Sequence, residues 1–217
     1  DGELTTLGKR IHEKWPSLEL YSTYASTEMQ TSFTECSMHS GGHIPADLII
    51  VELLDENNHP VADGEPGEVT ITTIGVEGMP LVRFKTGDIC IRFSEPCKCG
   101  RNSARLSSVL GRKGQMIKFK GTTIYPPILF DILDNIPDVE NYVVEVFTNS
   151  LGTDHIQIRI GSNNHSETFV KQIKDIFRSK VRVAPDIKFE SVELISRLQM
   201  PPMSRKVVKF FDFRHNI

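Results

Sequence analysis

Two cysteines stand one residue apart in Glu95–Arg101 (EPCKCGR), in a chain that has four. Cys97 and Cys99 support three readings: small residues in a turn, a strained vicinal-type disulfide, or half of a metal site whose other ligands lie elsewhere. The stretch CSMHSGGH offers those ligands. Cys36 and His43 are separated by six residues in a loop ending in two glycines, which permits the sharp path a chelate needs. Cys36, His43, Cys97 and Cys99 would make a tetrahedral Cys3His zinc site, closed to substrate and therefore structural. His39 is the expected substitute ligand. Cys90, inside an apolar run, reads as a buried filler.

Three further stretches hold residues fit for chemistry on a charged ligand. Tyr24–Glu28 (YASTE) sets the Ser26 and Thr27 hydroxyls beside a carboxylate. Such hydroxyls bond a phosphate, with Glu28 holding Mg²⁺ next to it; equally, Ser26 or Thr27 is a helix N-cap with Glu28 in the first turn. Phe84–Asp88 (FKTGD) presents Asp88 just after a glycine turn. A carboxylate held there accepts both hydroxyls of a ribose, but a plain β-turn needs the same residues. Gly111–Gly121 (GRKGQMIKFKG) combines Arg112, within reach of a nucleotide, with the composition of a solvated basic linker. The sequence has neither of the usual glycine-rich phosphate cradles and no nucleophilic serine elbow.

The elements that must position these residues fall into two textures. Thr5 or Thr6 caps an opening helix on which Leu7, Ile11 and Trp15 recur at helical spacing. Next come a strand-like run ending in YAST, the buried strand DLIIVELLD, the alternating GEVTITTI, and two strands within PLVRFKTGDICIRF, broken at Thr86-Gly87-Asp88. Beyond LGRKGQ the pattern changes to a strand (QMIKFKG), a Pro-initiated helix, two strands, and a helix on which Phe169, Ile173, Ile176 and Phe177 share a face. DIKFESVEL and KVVKFFDFR read as closing strands. The expected fold class is therefore α+β, with a mostly β unit over 1–112 and a small α+β unit over 113–217, joined at a hinge near Lys113 and Gly114. A net charge of −3 provides no basic field for nucleic acid, and no apolar run approaches the roughly 18 residues that span a bilayer. Four unevenly spaced cysteines and the lack of a signal-peptide pattern point to a reducing, cytoplasmic setting.

In chain order, YASTE, the TGD at 86–88, GRKGQMIKFKG and a lysine near the C-terminus form a set. This set resembles the acyl- and aryl-CoA synthetases of the adenylate-forming superfamily. Within it the chain is similar to the phenylacetate–coenzyme A ligase family, whose stretches MPLVRFKTGD, EPCKCGR and GRKGQMIKFKGTTIYPP match in type and spacing from about Gly2 to Arg214. The resemblance implies activation of a carboxylic acid with ATP and Mg²⁺ to an acyl-adenylate, then displacement of AMP by the thiol of coenzyme A. It places Thr27, with Ser26, at the adenylate phosphate, Glu28 at Mg²⁺, Tyr24 against adenine, and Asp88 at the ribose hydroxyls with Arg112 near. Gly121 would line the coenzyme A tunnel once the small domain has turned, and Lys206 would be the catalytic lysine, with Lys209 as its competitor. The related ligases carry the same Cys…His and Cys-x-Cys pairing. Two departures stand out: Gly114 where the family often has Asp at the hinge, and Arg205 where a glycine usually precedes the lysine.

The expectation is thus the C-terminal half of an AMP-forming aryl-acid:coenzyme A ligase with phenylacetate as leading substrate. Residues 1–112 would close the large adenylation domain and 113–217 form the small mobile domain. The family's phosphate-binding loop lies in its first half, so the chain alone is expected to be inactive, with the N-terminal half as its partner and a homodimer as a candidate assembly. The competing readings are an adenylating enzyme with a non-CoA acceptor and a non-catalytic, zinc-stapled module that binds a ligand or partner.

Overall fold

In the computed structural model, which describes residues 4–119, 121–149 and 152–214, the chain forms two units that part between Gly114 and Gln115. The first opens with α1 (Thr6–Lys14), started by Thr5, whose hydroxyl accepts from the Gly8 amide at 3.2 Å. The helix forms as its spacing predicts, but Leu7 and Trp15 are 67% and 56% exposed and only Ile11 is partly buried, so the described residues cover its apolar stripe only in part.

Eight strands follow: β1 (Thr23–Ala25), β2 (Ser32–Glu35), β3 (Gly42–His43), β4 (Ile49–Leu54), β5 (Pro66–Thr73), β6 (Phe84–Phe93), β7 (Arg105–Leu106) and β8 (Gly111–Arg112). They make one sheet in the order β1-β2-β3-β7-β6-β5-β4, with β8 paired to β6. Met29, Phe33, Ile49, Val51, Leu53, Val69, Ile71, Cys90 and Leu106 form its core. The alternation in GEVTITT marks β5 correctly, yet Glu68 and Thr70 on its other face are buried as well. The expected break at Thr86-Gly87-Asp88 is not there. One strand runs from Phe84 to Phe93, and its register against β5 shifts between Glu68 and Thr70. Gly87, at φ +77°, allows a bulge instead of a chain reversal.

The second unit holds a hairpin of β9 (Ile117–Phe119) and β10 (Thr122–Ile124), then α2 (Pro126–Asp134), β11 (Asn141–Thr148), β12 (Asp154–Gly161), α3 (Glu167–Val181), β13 (Asp186–Glu190), α4 (Val192–Gln199) and β14 (Phe210–Asp212). Its sheet runs β13-β12-β11-β14, antiparallel between β11 and β12 and parallel at both edges. Phe169, Ile173 and Phe177 of α3 pack on Val144, Val146, Ile156, Ile158 and Ile160, with Ile176 only partly buried. Each large side chain fully buried there contributes roughly 1.5–3 kcal/mol. DIKFESVEL is not one strand: Ser191 accepts from the Leu194 amide at 3.2 Å and converts its second half into α4. KVVKFFDFR keeps only three residues of strand. No described helix is long and apolar enough to cross a membrane.

Both sides of the joint are fastened to their own unit. Lys113 Nζ pairs with buried Glu68 Oε2 at 2.8 Å in the first. In the second, Arg214 donates to Met116 O at 2.7 Å and to Asp154 Oδ2 at 3.0 Å, while the same carboxylate oxygen accepts the Lys118 amide at 2.8 Å. A Cβ on Gly114 would meet no atom within 4 Å.

Candidate functional site

Sheet pairing builds the first cluster. Asp88 on β6 lies directly across from Arg112 on β8, and Arg112 Nε is 3.2 Å from Asp88 Oδ1. Tyr24 on β1 donates its phenolic proton to Asp88 Oδ2 at 2.9 Å. Burial above all, together with the Asp88 carboxylate, raises the Tyr24 pKa, so the phenol stays a donor. Thr86, which sequence reasoning passed over, fixes the bulge: its hydroxyl donates to Val69 O at 2.9 Å and accepts the Asp88 amide at 3.1 Å. Tyr24, Asp88 and Arg112 therefore meet, from three strands. Each Asp88 oxygen retains acceptor capacity beyond the protein donor it already has.

Ser26, Thr27 and Glu28 follow β1 as a turn and not as a helix, with Ser26 Oγ accepting the Met29 amide at 3.3 Å. Met29 is buried in the core and pins the turn. Thr27 and Glu28 are exposed, and the Glu28 carboxyl is held below its usual range by its own backbone N–H and by the Ser26 hydroxyl. An ionised, accessible carboxylate suits Mg²⁺, which binds through one or two carboxylates plus substrate phosphates.

The second cluster arises because β3 pairs with β7, His43 opposite Arg105. That pairing draws the loop after β2 and the loop after β6 together. The ligand atoms of Cys36, His43, Cys97 and Cys99 lie within 4.8 Å of one another. Cys36 Sγ is 3.6 Å from Cys97 Sγ, and Cys99 Sγ is 3.5 Å from His43 Nε2. Zn–S and Zn–N bonds of about 2.3 and 2.0 Å at a tetrahedral angle put such atoms about 3.5–3.8 Å apart, so the donor set fits zinc. A disulfide needs about 2.05 Å, and all four cysteines are free. The Cys99 backbone N–H, aided by the neighbouring ligand side chains, brings the Cys97 thiol down to about 6, while burial raises Cys36. His43 Nδ1 is hydrogen-bonded to Ser103 Oγ at 2.9 Å, which leaves Nε2 facing the thiols. His39 does not join them; its ring stacks on Tyr21 and faces Glu35 at 3.4 Å. Cys90 is fully buried, its thiol pushed up to about 12. Arg105 binds the same two loops without metal, donating to Ser40 O and Oγ at 2.7 Å and to Glu95 O at 3.1 Å. No spacing rule flags Ser103 or Arg105, because each acts through a loop distant in sequence.

In the second unit Gly121 has φ +80° in the β9–β10 turn, with open space where a Cβ would stand. Lys206 is exposed and makes no ion pair among the described residues. Lys209 is tied down, with Nζ 3.1 Å from Asp134 Oδ1 and 2.8 Å from Tyr142 OH. The left-handed residue of this loop is Met203 (φ 78°) and not Arg205.

No protein-family model matches the chain. It is 31% identical over 134 residues to the phenylacetate-coenzyme A ligase of Thermus thermophilus, a match covering 61% of this chain and 29% of the relative. The Escherichia coli phenylacetate-coenzyme A ligase is 24% identical over 166 residues, covering 72% and 36%. Among solved structures, 2-hydroxyisobutyryl-CoA ligase in the postadenylation state superposes with a TM-score of 0.75 at 20% identity, over 95% of this chain and 45% of that one. The anthranilate CoA ligase AuaEII with anthranoyl-AMP gives 0.59 at 17% identity, over 87% and 38%. The chain thus spans less than half the length of these relatives.

Proposed function

From a chain homologous to part of the phenylacetate–coenzyme A ligases and folded like adenylate-forming ligases, we propose that it carries the ribose subsite and the catalytic-lysine unit of an AMP-forming acid:coenzyme A ligase. Phenylacetate is the leading acid. The observation that carries the reading is the meeting of Tyr24, Asp88 and Arg112, which leaves a rigid carboxylate able to accept two ribose hydroxyls beside a cation. The unit ending at Gly114 acts as the end of the large adenylation domain, two residues beyond the boundary expected at 112, and the unit from Gln115 as its small mobile domain. The rest of the relatives' length supplies the phosphate-binding loop and most of the acyl pocket.

In the first step the acid's carboxylate attacks the α-phosphate of ATP and pyrophosphate leaves. Tyr24 and Arg112 hold Asp88 on the ribose, with Tyr24 against the adenine, while Ser26 and Thr27 face the α-phosphate. Glu28 would hold Mg²⁺, which when bound would supply positive charge against the pyrophosphate. Lys206 brings a compact ammonium to the bridging oxygens as charge builds there, a contribution of about 3 kcal/mol by analogy with single oxyanion donors. In the second step the thiol of coenzyme A, passing Gly121, attacks the acyl carbonyl and AMP departs. Cys36, His43, Cys97 and Cys99 hold a structural zinc that touches no substrate.

The test is acid-dependent exchange of labelled pyrophosphate into ATP without coenzyme A, on the longest natural polypeptide containing this chain and a panel of aryl and fatty acids. Exchange with phenylacetate is the expected result. Silence across the panel from folded, zinc-loaded protein would replace this reading with a non-catalytic module.

A further inference from the structure

Lys206 and Lys209 stand three residues apart on one loop and meet opposite surroundings. Lys206 projects into solvent. Lys209 Nζ donates to Tyr142 OH and to Asp134, and sits 4.5 Å from the centre of the Tyr142 ring and 5.9 Å from that of Phe130. Tyr142 in turn donates to Asp134 Oδ1 at 2.8 Å, and burial with that carboxylate keeps the phenol protonated. The ammonium of Lys209 is therefore occupied by protein groups on β11 and α2.

The backbone converges on the same place. Gln199 Nε2 donates to Tyr142 O at 2.7 Å, the Val208 amide donates to Gln199 O at 2.8 Å, and the Val144 amide donates to Lys209 O at 2.9 Å. The loop from 200 to 207 thus leaves and rejoins the fold at a single knot around Tyr142. Inside it, Ser204 closes a tight ring on Lys206, its hydroxyl accepting the Lys206 amide at 3.3 Å and donating to Lys206 O at 2.6 Å. Lys206 Cα is held by that ring, and the ring by the knot. At the tip the Ser204 amide closes a turn on Pro201 O at 3.0 Å, and Met203 is fully exposed.

We propose that the Lys209–Tyr142–Asp134 knot is the positioning device for Lys206, setting where its ammonium arrives during adenylation; this rests on the ligase reading above. Lys209 itself touches no reacting atom. A displacement of about 1 Å in a positioned group costs up to about 100-fold in rate, so a loosened knot is read most clearly in the step that uses Lys206.

The experiment compares Lys209→Met, which keeps the stem and removes the charge, with Lys209→Arg and Lys206→Met in the longest natural polypeptide containing this chain. Phenylacetate and ATP are the probes for pyrophosphate exchange, and supplied phenylacetyl-adenylate with coenzyme A isolates the thioester step. Lys209→Met should lower exchange kcat by about tenfold or more, with the KM for ATP within about twofold, and leave the thioester step within about twofold. Lys209→Arg should restore most of the loss. Independently of any activity, hydrogen exchange at the Ser204, Lys206 and Val208 amides should quicken about tenfold or more in Lys209→Met while the β11 and β12 amides keep their protection. Equal loss of both half-reactions, unchanged pyrophosphate exchange, or unaltered loop protection overturns the proposal. If Lys206→Met leaves pyrophosphate exchange intact, the ligase reading falls as well; if only Lys206→Met matters, the knot alone is refuted.

Discussion

Asp88 holds one protein donor on each carboxylate oxygen, Tyr24 on Oδ2 and Arg112 on Oδ1, and its side chain is only 14% exposed. Asp88→Asn removes the charge that both donors use and that the proposed ribose subsite needs. Hydrogen bonds to charged groups contribute about 1.5–3 kcal/mol, so the KM for ATP in pyrophosphate exchange should rise about 10- to 100-fold. Tyr24→Phe deletes one orienting bond and should cost about 2- to 10-fold, and a larger effect from Tyr24 than from Asp88 would contradict these roles. At the metal cluster, Ser103→Ala frees the His43 ring to turn and should weaken zinc about 10- to 100-fold, read by competition with a chromophoric chelator. Of these residues, Tyr24, Asp88 and Arg112 were singled out by their motifs, although their meeting joins strands far apart in sequence. Ser103 and Thr86 were not: a lone Ser or Thr has too many ordinary uses, and its partner is named only once strands pair.

At the scale of elements, reading errors came where two local signals competed. Thr86-Gly87-Asp88 carries strong turn chemistry, yet strands on both sides hold it in register and the glycine becomes a bulge. Ser191 is a capping signal inside a run whose Val and Ile favour a strand, and the cap prevails because α4 can bury Ile195 against β11 and β12. The amphipathic spacing of α3 was unambiguous and led directly to its core. The joint gives a prediction of the same kind. Gly114→Pro fixes one backbone angle between two fastened residues, so it should separate the half-reactions: pyrophosphate exchange and thioester formation from supplied acyl-adenylate should change by factors differing about tenfold or more. Equal change in both would mean that the units need not turn there.

For the whole molecule, the two units should melt as two transitions. The Cys36–His43–Cys97–Cys99 cluster, loaded with zinc as proposed, would join Cys36 to Cys97 across a separation of 61 residues. Closing a loop of that size with a crosslink contributes roughly 4 kcal/mol if the metal acts as a disulfide would. Stripping the metal with a strong chelator should therefore lower the melting temperature of the first unit and leave the second where it was, as followed by calorimetry. Loss of both transitions together would show that the units depend on one another. Arg105 should keep the two loops loosely associated when the metal is gone, since its bonds to Ser40 and Glu95 remain. Lys113 is tied to Glu68 in the first unit and Met116 to Arg214 in the second, so if the units turn as proposed, Gly114 and Gln115 would carry the turn. A turn taken up by so few torsions would store little elastic energy and leave both units intact. Its pace is then governed by the drag of the surrounding liquid, and turnover limited by that motion should slow in proportion to the viscosity of added sucrose.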